Sequence, residues 1–146
     1  MFNAPRLARL YGLALGAGLL LEGGVLLLLD VVRTPTGDTR HNALHVVWGI
    51  TILLVLWPKD EPYRTTLVML VFGVFYSLLA VAGVVFDKPF GLLLGPGENA
   101  FHFIVGPLAL CLGIWSLVQL SSSSASSAEA DAEASSAVAG SGDVPR

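Results

Sequence analysis

At 146 residues, 54% hydrophobic and 13% charged, the chain is one domain at most and too apolar for an ordinary soluble one. Its net charge of −3, with Lys and Arg scattered among loops, excludes a nucleic-acid-binding patch, and its single cysteine excludes an intramolecular disulfide and CxxC chemistry. The apolar residues are clustered: 10–29 holds one charge, Glu22, while 65–86 and 100–120 hold none. Runs of this length match the roughly 20 residues that a helix needs to cross a bilayer. The composition therefore predicts an all-α, multi-pass membrane protein whose main partner is the lipid bilayer.

Arg6 and Arg9 precede the first apolar run, as in a signal peptide. That run is too long for a signal core and lacks a small-x-small cleavage site, so a retained span is expected at 10–29. Gly12 and Gly16 give it a face that another helix can approach closely. Asp30 ends it, and Arg33, Pro35 and Gly37 mark a loop. Span 2 is expected at 38–57, capped by Asp38 or Thr39 and ending on Trp57, an interface residue. Residues 58–62 form a short polar turn, making spans 2 and 3 antiparallel neighbours.

Span 3 is expected at 65–86, with Gly73 and Ser77 as its small-residue face, and Asp87-Lys88-Pro89 ends it. Residues 90–97, broken by Gly91, Gly95, Pro96 and Gly97, read as a compact interfacial loop. Span 4 is expected at 98–120, kinked at Pro107, which has no N–H to offer the Phe103 carbonyl. Cys111 falls inside it and reads as a buried packing residue. Residues 121–146 are rich in Ser, Ala and acids, lack large apolar side chains, and read as a disordered tail outside a 1–120 membrane domain.

A shift of 57 residues superposes the two halves without gaps. Asp30 falls on Asp87, Asn42 on Asn99, His45 on His102, Gly49 on Gly106, and Gly16 on Gly73. Each half is then a helical hairpin, and two hairpins of equal orientation make a four-helix bundle about a pseudo-twofold axis along the membrane normal. Arg6, Arg9, Lys59 and Arg64 on one side outnumber Arg33, Arg40 and Lys88 on the other, which puts both termini in the cytoplasm of a cell-membrane protein.

Asn42, His45 and Gly49 are spaced i, i+3, i+7 on one helix face, as are Asn99, His102 and Gly106. The leading reading is a structural polar patch, in which Asn42, His45, Asn99 and His102, with Asp30 and Asp87 as acceptors, lock the two hairpins together. An alternative is axial ligation of a b-type haem by His45 and His102. A metal site is not expected, for want of further ligands. Glu22, an intramembrane charge whose repeat mate is Leu79, is either bonded inside the bundle, with Tyr76 and Ser77 as partners, or the titrating group of a small transporter or channel subunit. His41 reads as a solvated loop-end residue, and Trp48, Trp57 and Trp115 as lipid or interface packing. No catalytic or nucleotide-binding motif occurs, so no enzyme activity is expected.

The stretch Arg40-His41-Asn42-Ala43-Leu44-His45 with Gly49, and Asn99-Ala100-Phe101-His102 with Gly106, resembles a family of small prokaryotic four-span membrane proteins, a domain of unknown function. The resemblance covers about residues 5–120. It implies a four-helix membrane domain and no activity, and Glu22 is not part of its pattern. The expected role is a non-enzymatic, structural or interaction-mediating one, with a homo-oligomer or a membrane-protein partner possible.

Overall fold

A computed structural model describes residues 3–32, 38–57, 60–86 and 88–140. All regular structure among them is helical: α1 (Ala4–Val32), α2 (Thr39–Leu56), α3 (Pro62–Val85) and α4 (Pro96–Gly140), with a 3-10 turn at Pro89–Gly91. Asp87, Arg33 and Lys59 lie outside the described residues.

Local chemistry sets the starts. The Asn3 side chain accepts from Arg6 N at 3.0 Å, and Ala4 N donates to Gln119 Oε1 at 2.8 Å, so α1 begins with two of its free donors satisfied. Asp38 is extended (φ −89°, ψ 102°) and accepts from Arg40 N at 3.0 Å, a standard N-cap. Pro62 opens α3 where its missing N–H costs nothing. Glu98 opens α4 with the acidic half of a capping box, its Oε2 accepting from Gly95 N at 2.6 Å, and Gly95 has no side chain to return the bond. At the other end of α2, Arg9 Nε and Nη2 donate to Leu56 O at 3.2 and 3.1 Å.

α1 packs along α2 and α3 along α4, and glycines permit both approaches. A Cβ on Gly49 would stand 2.6 Å from Leu20 N, and one on Gly106 would stand 2.6 Å from Ser77 N. A Cβ on Gly16 would meet Ile52 Cγ2 at 2.9 Å, and Gly73 lies against the Leu110 backbone. The core comprises Leu15, Leu19, Ile52, Leu56, Met69, Phe72, Tyr76, Val105 and Ala109. Between the two pairs, α1 touches α3 and α4, and α2 touches α3, but no described Cα of α2 comes within 8 Å of one of α4. That diagonal is bridged by side chains alone.

The outside is apolar. Leu10, Leu21, Leu28, Leu54, Leu67, Leu78 and Ile104 are exposed on all four helices, a surface that water would penalise and lipid would not. α1, α3 and the first part of α4 (to Glu133) are long and apolar enough to cross a membrane. α2 is not among these three, because its first two turns carry Arg40, His41, Asn42 and His45. The chain is thus a helical membrane protein.

Four expectations are corrected. The helix α4 does not stop at 120 but runs to Gly140, so residues 121–140 are helical rather than disordered. Ala and Glu favour helix, and the serine hydroxyls are satisfied within it, Ser122 Oγ donating to Val118 O and Ser124 Oγ to Leu120 O at 2.9 and 3.0 Å. Cys111 is exposed, because it lies on the face of α4 turned away from α3. Trp48 packs inward, with its ring 5.3 Å from that of Phe72 and 5.4 Å from that of Phe75. The fourth concerns His41 and belongs with the site.

Candidate functional site

Three imidazoles meet in the α2–α4 diagonal. His41 and His45 come from the first two turns of α2, and His102 from the second turn of α4. All three are buried, at 1%, 3% and 0% exposure. Ring centroids of His41 and His45 are 4.3 Å apart, those of His41 and His102 5.3 Å, and those of His45 and His102 6.1 Å. One nitrogen from each ring falls within 4.8 Å of the others.

Two carboxylates approach from outside this group. Glu98 Oε1 lies 3.2 Å from His41 Nδ1, while its other oxygen accepts from Gly95 N, so one side chain starts α4 and orients an imidazole of α2. Glu22 Oε2 lies 3.1 Å from His45 Nδ1. That pair is in ion-pair range but not in hydrogen-bond geometry, and both His45 nitrogens have no hydrogen-bond partner among the described residues. His41 Nε2 and His102 Nε2 face each other at 3.4 Å. His102 Nδ1 and the hydroxyl of Tyr76, a residue 0% exposed whose ring lies 5.0 Å from His102, likewise have no such partner. Buried polar atoms without partners are uncommon and each costs roughly 1–3 kcal/mol.

The backbone makes room for this layer. A Cβ on Gly23 would stand 2.7 Å from Asn42 O and 2.8 Å from His45 Cβ, so only glycine beside Glu22 lets α2 close onto α1. Gly83 does the same against the Asn99 side chain.

His41 is therefore not a solvated loop-end residue. The signal was present in the sequence: His41 and His45 are spaced i, i+4, one face of a helix, and His41 stands 57 residues before Glu98, the offset that relates His45 to His102. The remaining predicted residues are placed less centrally. Asn42 Nδ2 and Thr39 Oγ1 donate to Asp30 Oδ2 at 3.4 and 3.0 Å, so Asp30 serves the start of α2. Asn99 Oδ1 has no hydrogen-bond partner among the described residues. Glu22 meets His45 in place of the expected Tyr76 and Ser77, whose oxygens also lack such partners.

A haem does not fit between His45 and His102. The His41 ring lies 4.3 Å from one and 5.3 Å from the other, and Tyr76 lies 6.3 and 5.0 Å from them. A macrocycle plane through that pair would collide with both side chains.

Outside the membrane segments, Asp38 ties the two hairpins at the same end. Its Oδ2 accepts from Leu93 N at 2.7 Å. Partial burial raises its pKa, but backbone donors from Leu93, Arg40 and His41 outweigh this and hold the carboxyl below the usual 3.8.

No protein-family model, curated protein or solved structure matches this chain. The reading of the site rests on its geometry.

Proposed function

We propose that this chain is a non-enzymatic, multi-pass protein of the cell membrane, in which four spans form two like-oriented hairpins clamped by the histidine–carboxylate layer. The observation that carries the clamp is the 3.2 Å contact between His41 of α2 and Glu98 of α4, helices whose described Cα atoms stay more than 8 Å apart. Its partners are 57 residues apart, so a repeat of that offset would put both on the pseudo-twofold axis. The matched approaches of Gly49 to Leu20 and Gly106 to Ser77, with both pairs of positions related by the same offset, support the repeat. The α2 span is supported by its apolar second half and by the apolar surface that it shares with its neighbours. The Lys and Arg balance favours cytoplasmic termini.

Topology is tested by cysteine scanning in a Cys111→Ser background. Asp60→Cys and Ser124→Cys should react with an impermeant maleimide from one side of sealed vesicles, and Thr39→Cys and Leu93→Cys from the other. Labelling of Thr39→Cys and Asp60→Cys from the same side refutes four spans.

One observation favours a second reading, a transporter or channel subunit. Glu22, His45, His41 and Glu98 form a continuous line of ionisable groups, with 3.1 Å and 3.2 Å at its two carboxylate ends and a 4.3 Å ring contact between. Proton flux into liposomes that is lost in Glu22→Gln would support it, and flux absent from the wild type rules it out.

A further inference from the structure

The three histidines are more than a clamp needs. A hydrogen-bonded lock between α2 and α4 requires one donor and one acceptor, and His41 with Glu98 already supplies them. Two further imidazoles are buried beside this pair, and His45 leaves both ring nitrogens without a hydrogen-bond partner among the described residues. We propose that His41, His45 and His102 form a binding site for one divalent transition-metal ion of the zinc class, joining the two hairpins near one end of the bundle.

Three observations point to this. The first is spacing. Two nitrogens on one tetrahedral zinc stand about 3.3 Å apart, given bonds of about 2.05 Å. His41 Nε2 and His102 Nε2 are 3.4 Å apart, and one ligand nitrogen from each of the three rings lies within 4.8 Å of the others. The second is orientation. A metal-bound imidazole commonly gives its other nitrogen to a carboxylate, which fixes the ring and raises its basicity. Glu98 Oε1 is hydrogen-bonded to Nδ1 of His41, leaving its Nε2 for the ion, and Glu22 Oε2 stands 3.1 Å from Nδ1 of His45, close enough to serve the same part once the ring turns to the ion. The third is charge. The side chains of Glu22 and Glu98 stand 3.1 and 3.2 Å from two of these imidazoles, and a dication between the rings would be drawn to both. Three nitrogens with no thiolate suit zinc, cobalt, nickel or copper better than calcium or magnesium. Glu98, 41% exposed at the first turn of α4, offers the ion an acidic route in from the end of the bundle.

The site uses the same side chains as the clamp but goes beyond it, and one experiment separates the two. Full-length protein, purified in detergent without a polyhistidine tag and stripped with a chelator, is titrated with Co2+ alone. The expected result is a set of visible d–d bands that saturates at one ion per chain and is displaced by Zn2+. His41→Ala, His45→Ala and His102→Ala should each abolish it. Glu98→Gln and Glu22→Gln, which keep the shape of the side chain, should weaken Co2+ binding by about 10–100-fold. The proposal is overturned if wild type gives no saturable spectrum. It is equally overturned if the two glutamine variants, or any histidine variant with native circular dichroism and elution, bind Co2+ as wild type does. Unfolding of the chelator-treated protein reports on the clamp alone. If metal-free His41→Ala is as stable as metal-free wild type, the clamp falls while a Co2+ spectrum keeps the site. If it is destabilised and wild type binds no Co2+, the clamp stands and the site falls.

Discussion

Replacing Gly106 with alanine tests the close helix contact on which the histidine layer depends. The added Cβ would stand 2.6 Å from Ser77 N, 2.9 Å from Tyr76 C and 3.0 Å from Ser77 Oγ, where ordinary contact begins at 3.4 Å. The two nearest atoms are backbone, so α3 and α4 must separate by about 0.8 Å instead of a side chain turning aside (3.4 less 2.6). Overpacking of this kind costs about 1–3 kcal/mol. Alanine also favours a helix over glycine by about 1 kcal/mol, which masks part of that cost. Gly18→Ala provides the correction, since a Cβ there meets nothing within 4 Å and gains the helix preference alone. The difference between the two variants therefore isolates the overpacking, a roughly 5- to 150-fold ratio in their unfolding equilibria. Sodium dodecyl sulfate titration from mild micelles, followed by far-UV circular dichroism and by fluorescence of the inward-packed Trp48, reads it. Gly49→Ala, with its Cβ 2.6 Å from Leu20 N, should behave like Gly106→Ala. If Gly106→Ala is as stable as Gly18→Ala, the close approach of α3 and α4 described above is wrong.

Three further outcomes are expected. Glu98→Ala removes both the acceptor for Gly95 N and the acceptor for His41, so it should cost about 1–3 kcal/mol, whereas Glu98→Gln keeps an acceptor and should cost less; thermal unfolding in detergent compares them. Asp38 has a folded pKa below its unfolded value, so its contribution to stability is fully present above about pH 4 and is lost as pH falls through the lower, folded pKa. Asp38→Asn should lack that acid-side loss, and parallel stability curves for the two proteins in that range would contradict the cap. Exposed Cys111, in the middle of an apolar helix face, should react with a membrane-permeant maleimide and not with a charged one, and modification should leave the circular dichroism spectrum unchanged; rapid labelling by the charged reagent would remove that face from lipid.

Much of this protein is written in its linear sequence, because a bilayer admits few solutions. Apolar runs of about 20 residues have little choice but to be helices, since lipid offers their backbone no hydrogen bonds. Asp38 before α2 marks a helix start through local chemistry alone. The i, i+3, i+7 spacing puts Asn42, His45 and Gly49 on one face of α2 wherever that helix lies. What the sequence leaves open is set by distances across the bundle. Cys111 and Trp48 sit in equally apolar surroundings along the chain, and only the packing of α4 on α3 and of α2 on α3 turns one outward and the other inward. The 121–140 segment turns on the balance between intrinsic helix preference and missing packing, and the preference of Ala and Glu carries the helix on. The histidine layer is the clearest case. Periodicity can show that His41 and His45 share a face, but not that Glu22 and Glu98 reach them, or that His102 completes the group. Those contacts exist because glycines at 23, 49 and 106 bring each hairpin's helices together, while the α2–α4 diagonal stays wide enough to hold three rings.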